Sequence, residues 1–133
     1  MIRLQGHTVA DLGDPERGSL SLETSIIIGP MLLLLLLVIQ LGIYGHANNV
    51  ARSAAQVGAQ AGRGINASGA AVQQAASQYL ANTGGLLNSH VNASTGRTVT
   101  VTITGTAATI VPLIPMPKVS ATASLPKERV TTP

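Results

Sequence analysis

The sequence predicts an α+β fold: a long N-terminal transmembrane helix that continues into an amphipathic helix, a second short helix, and a small antiparallel β-sheet. Three observations predict this fold. No charged residue occurs from Thr24 to Ala51, an Ala-rich stretch with helical spacing follows, and Val or Ile alternates with Thr in RTVTVTITG, residues 97–105. Spacing near 3.6 residues is typical of helices, and spacing of two is typical of strands.

The apolar run from Ser25 to Gly45 is 21 residues long. A helix of about 20 residues crosses a hydrocarbon core of about 30 Å, because each residue adds about 1.5 Å. A signal peptide has a shorter apolar region after a basic start, whereas acids outnumber arginines before this run. Six consecutive leucines, Leu32 to Leu37, also argue against a soluble core helix. We therefore expect a lasting anchor, with signal-peptidase cleavage after Ala47 as the alternative.

Gly29 and Pro30 interrupt the apolar run. Proline removes one helical N–H and clashes with the preceding turn, so we expect a kink or a helix start at this point. A proline that the membrane helix merely tolerates is equally compatible with the sequence.

Beyond the membrane, apolar residues with steps of three and four predict one stripe of a continuing helix. They are Val50, Ala54, Val57, Ala61 and Ile65. The surrounding residues are small, and small faces allow helices to approach closely. Two interpretations stay open: packing in a filament or against a partner subunit, and packing against the chain's own sheet.

A second helix is predicted from about Gly69 to Asn82, with Asn66 or Ser68 as its N-cap. Gly84 and Gly85 end it. The residues expected to face inward are Val72, Ala75, Ala76, Tyr79 and Leu80.

Three strands are expected after the second helix. Val99, Val101 and Ile103 form the buried face of the clearest strand. A strand over residues 86–91 precedes it, joined through NASTG, residues 92–96, and a third covers residues 119–125. The connection VPLIPMP, residues 111–117, holds three prolines and is excluded as a central strand.

The sequence lacks the arrangements of acidic, histidine and cysteine residues that most catalytic and metal sites need. No acid occurs between Glu23 and Glu128, so a carboxylate pair for acid–base catalysis is not expected beyond the membrane. His46 and His90 lack metal-ligand spacing, and the chain has no cysteine. We expect no enzyme activity, no cofactor and no bound metal.

The segment after the membrane is basic. From Asn48 on it carries six Lys or Arg residues and one Glu, a formal +5. A basic domain suggests nucleic-acid binding. However, the cations are spread along the sequence and aromatic residues for base stacking are nearly absent. A nucleic-acid partner is therefore not expected.

A short motif lies in front of the apolar run. Gly18 is followed by SLSLE, so that Glu23 is the fifth residue after the glycine. This arrangement resembles the processing site of type IV pilin-like proteins. A charge inside a membrane is costly and normally has a partner. The alternative is that Glu23 lies in the headgroup zone as an acid near a helix N-terminus.

Within that class the chain resembles TadE-like pseudopilins of the Tad (tight adherence, Flp) pilus system. The opening RGSLSLETSIIIGPMLLLLLLVIQLG, the Ala-rich NNVARSAAQVGAQAGRG, the threonine/valine strand and VPLIPMPKVSATASLPKERV carry this resemblance, over roughly residues 17–130. Thr24 replaces the phenylalanine that often follows the glutamate in Tad-type pilins. Because Flp-type major pilins are very short, the length indicates a minor pseudopilin.

The resemblance implies three segments: a leader (residues 1–18), a transmembrane helix (19–47) and an extracytoplasmic domain (48–133), with helices to about residue 82 and strands over about 86–125. A prepilin peptidase would cut between Gly18 and Ser19 on the cytoplasmic side. The new α-amino group of Ser19, or that of a neighbouring subunit, would face Glu23.

The implied partners are the prepilin peptidase, other pilin or pseudopilin subunits, the pilus assembly platform and the membrane. The implied location is the cytoplasmic (inner) membrane, crossed once, with the N-terminus cytoplasmic; incorporation into the pilus stays open. Charges flanking the apolar run favour this orientation only weakly, or even favour the opposite one. Two alternatives remain: a signal-anchored envelope protein without pili, and a competence-type pseudopilin that binds DNA.

Overall fold

The computed structural model describes residues 15–111, 113–115 and 117–129, with side chains from residue 21 onward. The elements are α1 (Pro15–Ala61), α2 (Gly69–Thr83), β1 (Leu86–Thr95), β2 (Thr98–Ala107) and β3 (Lys118–Pro126). The predicted α+β fold is therefore confirmed. Most of the expected leader, residues 1–14, lies outside the described residues. Two compact units are present, one ending at Leu35 and the other beginning at Leu36.

Helix α1 is one element of 47 residues, and Pro30 lies inside it. The predicted continuation of the apolar helix past Gly45 is therefore confirmed. A helix start at Pro30 is wrong, because the residues on both sides keep a helical backbone and the proline removes only one N–H. A kink at this position stays a prediction.

The second half of α1 packs small residues into the core of the second unit. Its fully buried residues are Ala47, Ala51, Ala54, Ala55 and Ala59. The predicted stripe is wrong at its end, because Ala61 is exposed and Ile65, which lies beyond the last helical residue, is 56% exposed. These alanines share one hydrophobic cluster with residues of α2 and the sheet. Of the two interpretations left open, the chain's own core occupies this small-residue face.

Helix α2 matches its prediction closely. Ser68 is the N-cap: its backbone is extended and its hydroxyl accepts a hydrogen bond from the backbone N–H of Ala71 at 3.2 Å. At the other end the N–H of Gly84 donates to the carbonyl of Leu80 at 2.9 Å. Val72, Ala76 and Leu80 are buried, and Ala75 and Tyr79 are half-buried. All five residues expected to face inward therefore do so at least in part.

The sheet has the order β1-β2-β3 with antiparallel pairing throughout. Val99, Val101 and Ile103 are fully buried, which confirms the predicted inner face. On the opposite face, hydroxyls of Thr100 and Thr102 lie within hydrogen-bond distance of their cross-strand partners on β3. Alternating apolar and hydroxyl side chains therefore give the sheet one core face and one polar face.

The expected linker NASTG is wrong for four of its five residues. Asn92 to Thr95 belong to β1 and pair with Thr102 to Val99 of β2. The turn is shorter than expected and consists of Gly96 and Arg97. Polar residues here indicated a loop, but on a sheet with a solvent face every second residue is free to be polar. The proline-rich connection is outside the strands, as predicted, since β2 ends at Ala107 and β3 begins at Lys118.

Gly62, just after α1, provides a test of this packing. A Cβ atom built on Gly62 would lie 2.6 Å from Cγ1 of Val99 and 2.7 Å from Cγ2 of Val72. Overpacking a core typically costs about 1–3 kcal/mol. We expect Gly62→Ala to lower the thermal unfolding midpoint in detergent, by about 4–8 °C for each kcal/mol in a domain of this size.

Gly64→Ala is the matched control, because the nearest atom to its built Cβ is 3.9 Å away. Equal unfolding midpoints for the two variants would show that α1 does not contact the sheet and α2 so closely.

Candidate functional site

The predicted processing residues Gly18 and Ser19 lie in the first turns of α1. Glu23 follows Ser19 by four residues, which is about 6 Å along a helix axis and places both on one face. Residues at this spacing are neighbours on a helix. An amino group created at Ser19 would therefore be within reach of the carboxylate of Glu23.

Glu23 is exposed on the surface of α1. Among the residues that the structure describes, the ion pair formed is the one between Arg63 and Glu128, at 3.3 Å. Among the residues whose side chains the structure describes, from residue 21 onward, no cation pairs with the carboxylate of Glu23.

We call residues 22–35 the first part of α1. Apart from Glu23, Thr24 and Ser25, this part is apolar on all sides. Its exposed large side chains are Leu22, Ile26, Ile27, Ile28, Met31, Leu32, Leu33, Leu34 and Leu35. A helix that is hydrophobic all round is buried in a core or in a membrane. The helix is long and apolar enough to cross a membrane, with a mean hydropathy of 2.7 in its most apolar part and little of that part buried within the chain.

Gly29 and Pro30 lie within this apolar part, and both are exposed. A Cβ built on Gly29 would have no atom within 4 Å. No close contact in the described chain therefore requires a glycine at this position.

Gln40 is a buried polar residue whose structural role the sequence analysis missed. It is 7% exposed although it lies in the apolar run. Its amide Nε2 donates to the carbonyl of Ala108 at 2.9 Å, and its Oε1 accepts from the backbone N–H of Ile110 at 2.9 Å. One side chain thus satisfies a donor and an acceptor of the connection between β2 and β3. The signal was an isolated glutamine among leucines, and such a residue is normally hydrogen-bonded.

Replacing Gln40 by leucine is expected to release this connection. The carbonyl of Ala108 and the N–H of Ile110 would lose their partner, and each of these part-buried hydrogen bonds contributes about 0.5–1.5 kcal/mol. We expect faster amide hydrogen exchange at Ile110 and a lower thermal unfolding midpoint. Gln60→Leu is the control, since Gln60 lies on the exposed side of α1. Unchanged exchange in Gln40→Leu would contradict the role of this side chain.

The cations at the end of the sheet that contains the Gly96–Arg97 turn are less dispersed than the sequence suggested. The N–H of Lys127 donates to the carbonyl of Arg97 at 3.1 Å, and the N–H of Glu128 donates to the carbonyl of Arg63 at 3.2 Å. Arg129 follows directly. We call Arg63, Arg97, Lys127 and Arg129 the basic tip. Their backbones come close together although they are far apart in sequence, because the residues that follow β3 return to the end of α1.

The described residues offer little for catalysis or metal binding. They contain no group of three or more His, Cys, Asp or Glu side chains that could hold a metal ion. His90 lies with Ser77 and Ser89 at an open cavity of about 480 Å³ between α2 and β1. None of the residues lining that cavity is an acid that could orient the imidazole as in a catalytic triad.

Comparison with known proteins identifies one family. The family model described as TadE-like protein matches residues 18–60. No curated protein and no solved structure matches the chain. The match begins at Gly18 and ends one residue before the last residue of α1. It confirms the resemblance on that helix and supports a pilin-like role in a Tad-type pilus system. The match does not extend over α2 and the sheet, although the resemblance was expected to cover roughly residues 17–130.

Proposed function

We propose that this chain, TadE-like from residue 18 to residue 60, is a minor pseudopilin that acts in assembly of a Tad-type pilus or a related secretion machine. The observation that carries the proposal is that three features agree in register. The family match starts at Gly18, Glu23 stands in the fifth position after it, and α1 continues as one helix to Ala61. A prepilin peptidase releases the leader, and the helix then anchors the subunit in the cytoplasmic membrane.

The proposed orientation follows from this processing step. The leader stays in the cytoplasm, where the resemblance places the peptidase's active site, and the second unit lies outside. The exposed leucines of α1 face lipid, and they become contacts with neighbouring subunits if the protein enters a fibre. Its partners in this proposal are other pilin or pseudopilin subunits and the assembly platform.

Deleting the gene tests the function directly. We expect the deletion strain to lose surface pili while its major pilin is still processed, because a minor subunit acts after processing. Wild-type protein supplied from a plasmid should restore the pili. Normal pili in the deletion strain would contradict the proposal.

Spheroplasts of the complemented strain test the orientation. Protease added outside is expected to digest the segment after Asn48 and to spare the cytoplasmic leader of a Gly18→Ala variant. Digestion of the leader and protection of the sheet would reverse the proposed topology.

DNA binding is the second candidate function, and the basic tip is the observation that favours it. Four cations near one carboxylate suit a phosphate backbone. However, Tyr44 and Tyr79 are the chain's only aromatic residues, and both are partly buried against the core. Stacking platforms for single strands are therefore missing from the exposed surface. Salt-dependent binding of duplex DNA by the full chain in detergent, lost when the tip's cations are replaced, would favour this alternative.

A further inference from the structure

The connection between β2 and β3, residues 108–117, carries exposed apolar side chains among its described residues. It reads ATIVPLIPMP and contains no charged residue. Leu113 is 94% exposed and Ile110 is 51% exposed. An exposed leucine alone is ordinary. Two exposed large apolar side chains within four residues of an uncharged, proline-rich segment make this connection a candidate contact surface.

The position of this connection on α1 indicates what covers it. Ile114, Pro115 and Pro117 line a cavity of about 230 Å³ together with α1 residues from Leu37 to Tyr44. Leu37 is the last of the six consecutive leucines, and Gln40 precedes the end of the apolar run at Gly45 by five residues. Five residues of helix span about 7.5 Å. The connection therefore packs against a part of α1 that lies within the hydrocarbon core if α1 crosses the membrane over Ser25 to Gly45.

The hydrogen bonds of Gln40 lower the free-energy cost of placing non-helical backbone at this depth. Irregular backbone is tolerated at membrane depth only where its polar groups have partners within the protein. Gln40 supplies these partners to the carbonyl of Ala108 and the N–H of Ile110. A glutamine in an apolar helix is itself costly without partners, so the two elements satisfy each other.

Two residues near the connection, one on α1 and one at the start of β3, suit a membrane surface. Tyr44 lies one helical turn beyond Gln40 and is half-buried, and tyrosine is enriched where membranes meet water. Lys118, the first charged residue after the connection, is exposed at the start of β3. A lysine there can reach phosphate headgroups while its aliphatic part stays near lipid.

We propose that residues 108–117 are a second membrane contact, which inserts Ile110 and Leu113 among the acyl chains of the leaflet next to the sheet. This contact holds the second unit against the bilayer, in addition to the anchoring by the single helix α1. It requires that α1 spans the membrane, and it does not depend on processing at Gly18 or on a role in pili. A pilus subunit that covers the same residues is the competing occupant.

The natural absence of cysteine allows a direct test. Leu113→Cys in the full chain is labelled with an environment-sensitive fluorophore and placed in vesicles of phosphatidylethanolamine and phosphatidylglycerol. Leu33→Cys, in the leucine run, is the lipid control, and Ser94→Cys, exposed on β1, is the water control. None of these changes removes a buried side chain, so all three variants are expected to fold.

We expect the label at position 113 to behave like that at position 33. Its emission should shift to the blue, nitroxides on lipid acyl chains should quench it, and aqueous iodide should not. Before labelling, the thiol at position 113 should react more slowly with a water-soluble maleimide than the thiol at position 94. The thiolate is the reactive form, and apolar surroundings raise the pKa of a thiol. Each unit of increase in that pKa slows the reaction about tenfold.

Two results would overturn the proposal. Quenching of position 113 by iodide, as at position 94, would place the connection in water. Protection of position 113 in native membranes but not in lipid vesicles would show that a protein partner covers it. Either result leaves the proposed assembly function untouched, because piliation does not enter the measurement.

Discussion

Replacing Gly18 by alanine is expected to leave the leader uncut and to abolish maturation of the protein. The resemblance implies a peptidase that cuts directly after a glycine, and we expect the Cβ atom of alanine to hinder that cut. In the uncut chain the nitrogen of Ser19 stays in its peptide bond with residue 18, so the α-amino group that would face Glu23 never forms. The measurement is the intact mass of the protein extracted from membranes of cells that express the peptidase.

Gly29→Ala is the matched control for this prediction. Gly29 lies in the same helix and has open space around its Cβ position, so alanine there should leave processing unchanged. Normal cutting of Gly18→Ala would show that the glycine is not the recognition residue. Failure of both variants would indicate a general effect on membrane insertion.

Replacing Glu23 by glutamine is expected to leave processing and membrane insertion intact but to prevent assembly. If the carboxylate pairs with the amino group of a neighbouring subunit, its loss leaves a cation unpaired in the membrane, at a cost of about 2.5–3.5 kcal/mol. That cost corresponds to a loss of roughly two orders of magnitude in association. If Glu23 only lies in the headgroup zone, its removal changes stability by about 0.3–1 kcal/mol.

Co-purification with partner subunits distinguishes these two situations. Wild-type protein should recover its partners, and Glu23→Gln should recover few or none. Glu128→Gln is the control for loss of a carboxylate, since Glu128 is exposed in the second unit. Equal recovery of partners by Glu23→Gln together with normal pili would show that the acid has no role in assembly.

The sequence predicted those parts of the fold that depend on local periodicity. The alternation around Val101 placed β2 and its buried face, and Ser68 with Gly84 marked both ends of α2. These patterns work because a strand repeats every two residues and a helix end needs a hydrogen-bonding cap. The extent of β1 was underestimated, since its polar residues resemble a loop unless the partner strand is known.

Features that depend on contacts distant in sequence were not predictable. Gln40 bonds to residues 68 and 70 positions further along the chain. The basic tip depends on the return of β3 toward the end of α1. No local pattern reports such contacts, because each partner alone is an ordinary polar or charged residue. The alanine face of α1 was ambiguous for the same reason: small residues suit either a partner or the chain's own core.

The amino-terminal residue of the mature protein decides whether the leader is removed. We propose that a prepilin peptidase converts this chain into a membrane-anchored pilus subunit. Wild-type protein purified from membranes of its own cells is therefore expected to begin at Ser19, by intact mass and by N-terminal sequencing. A mature chain that begins at Met1, or at Asn48 after signal-peptidase cleavage, would contradict it.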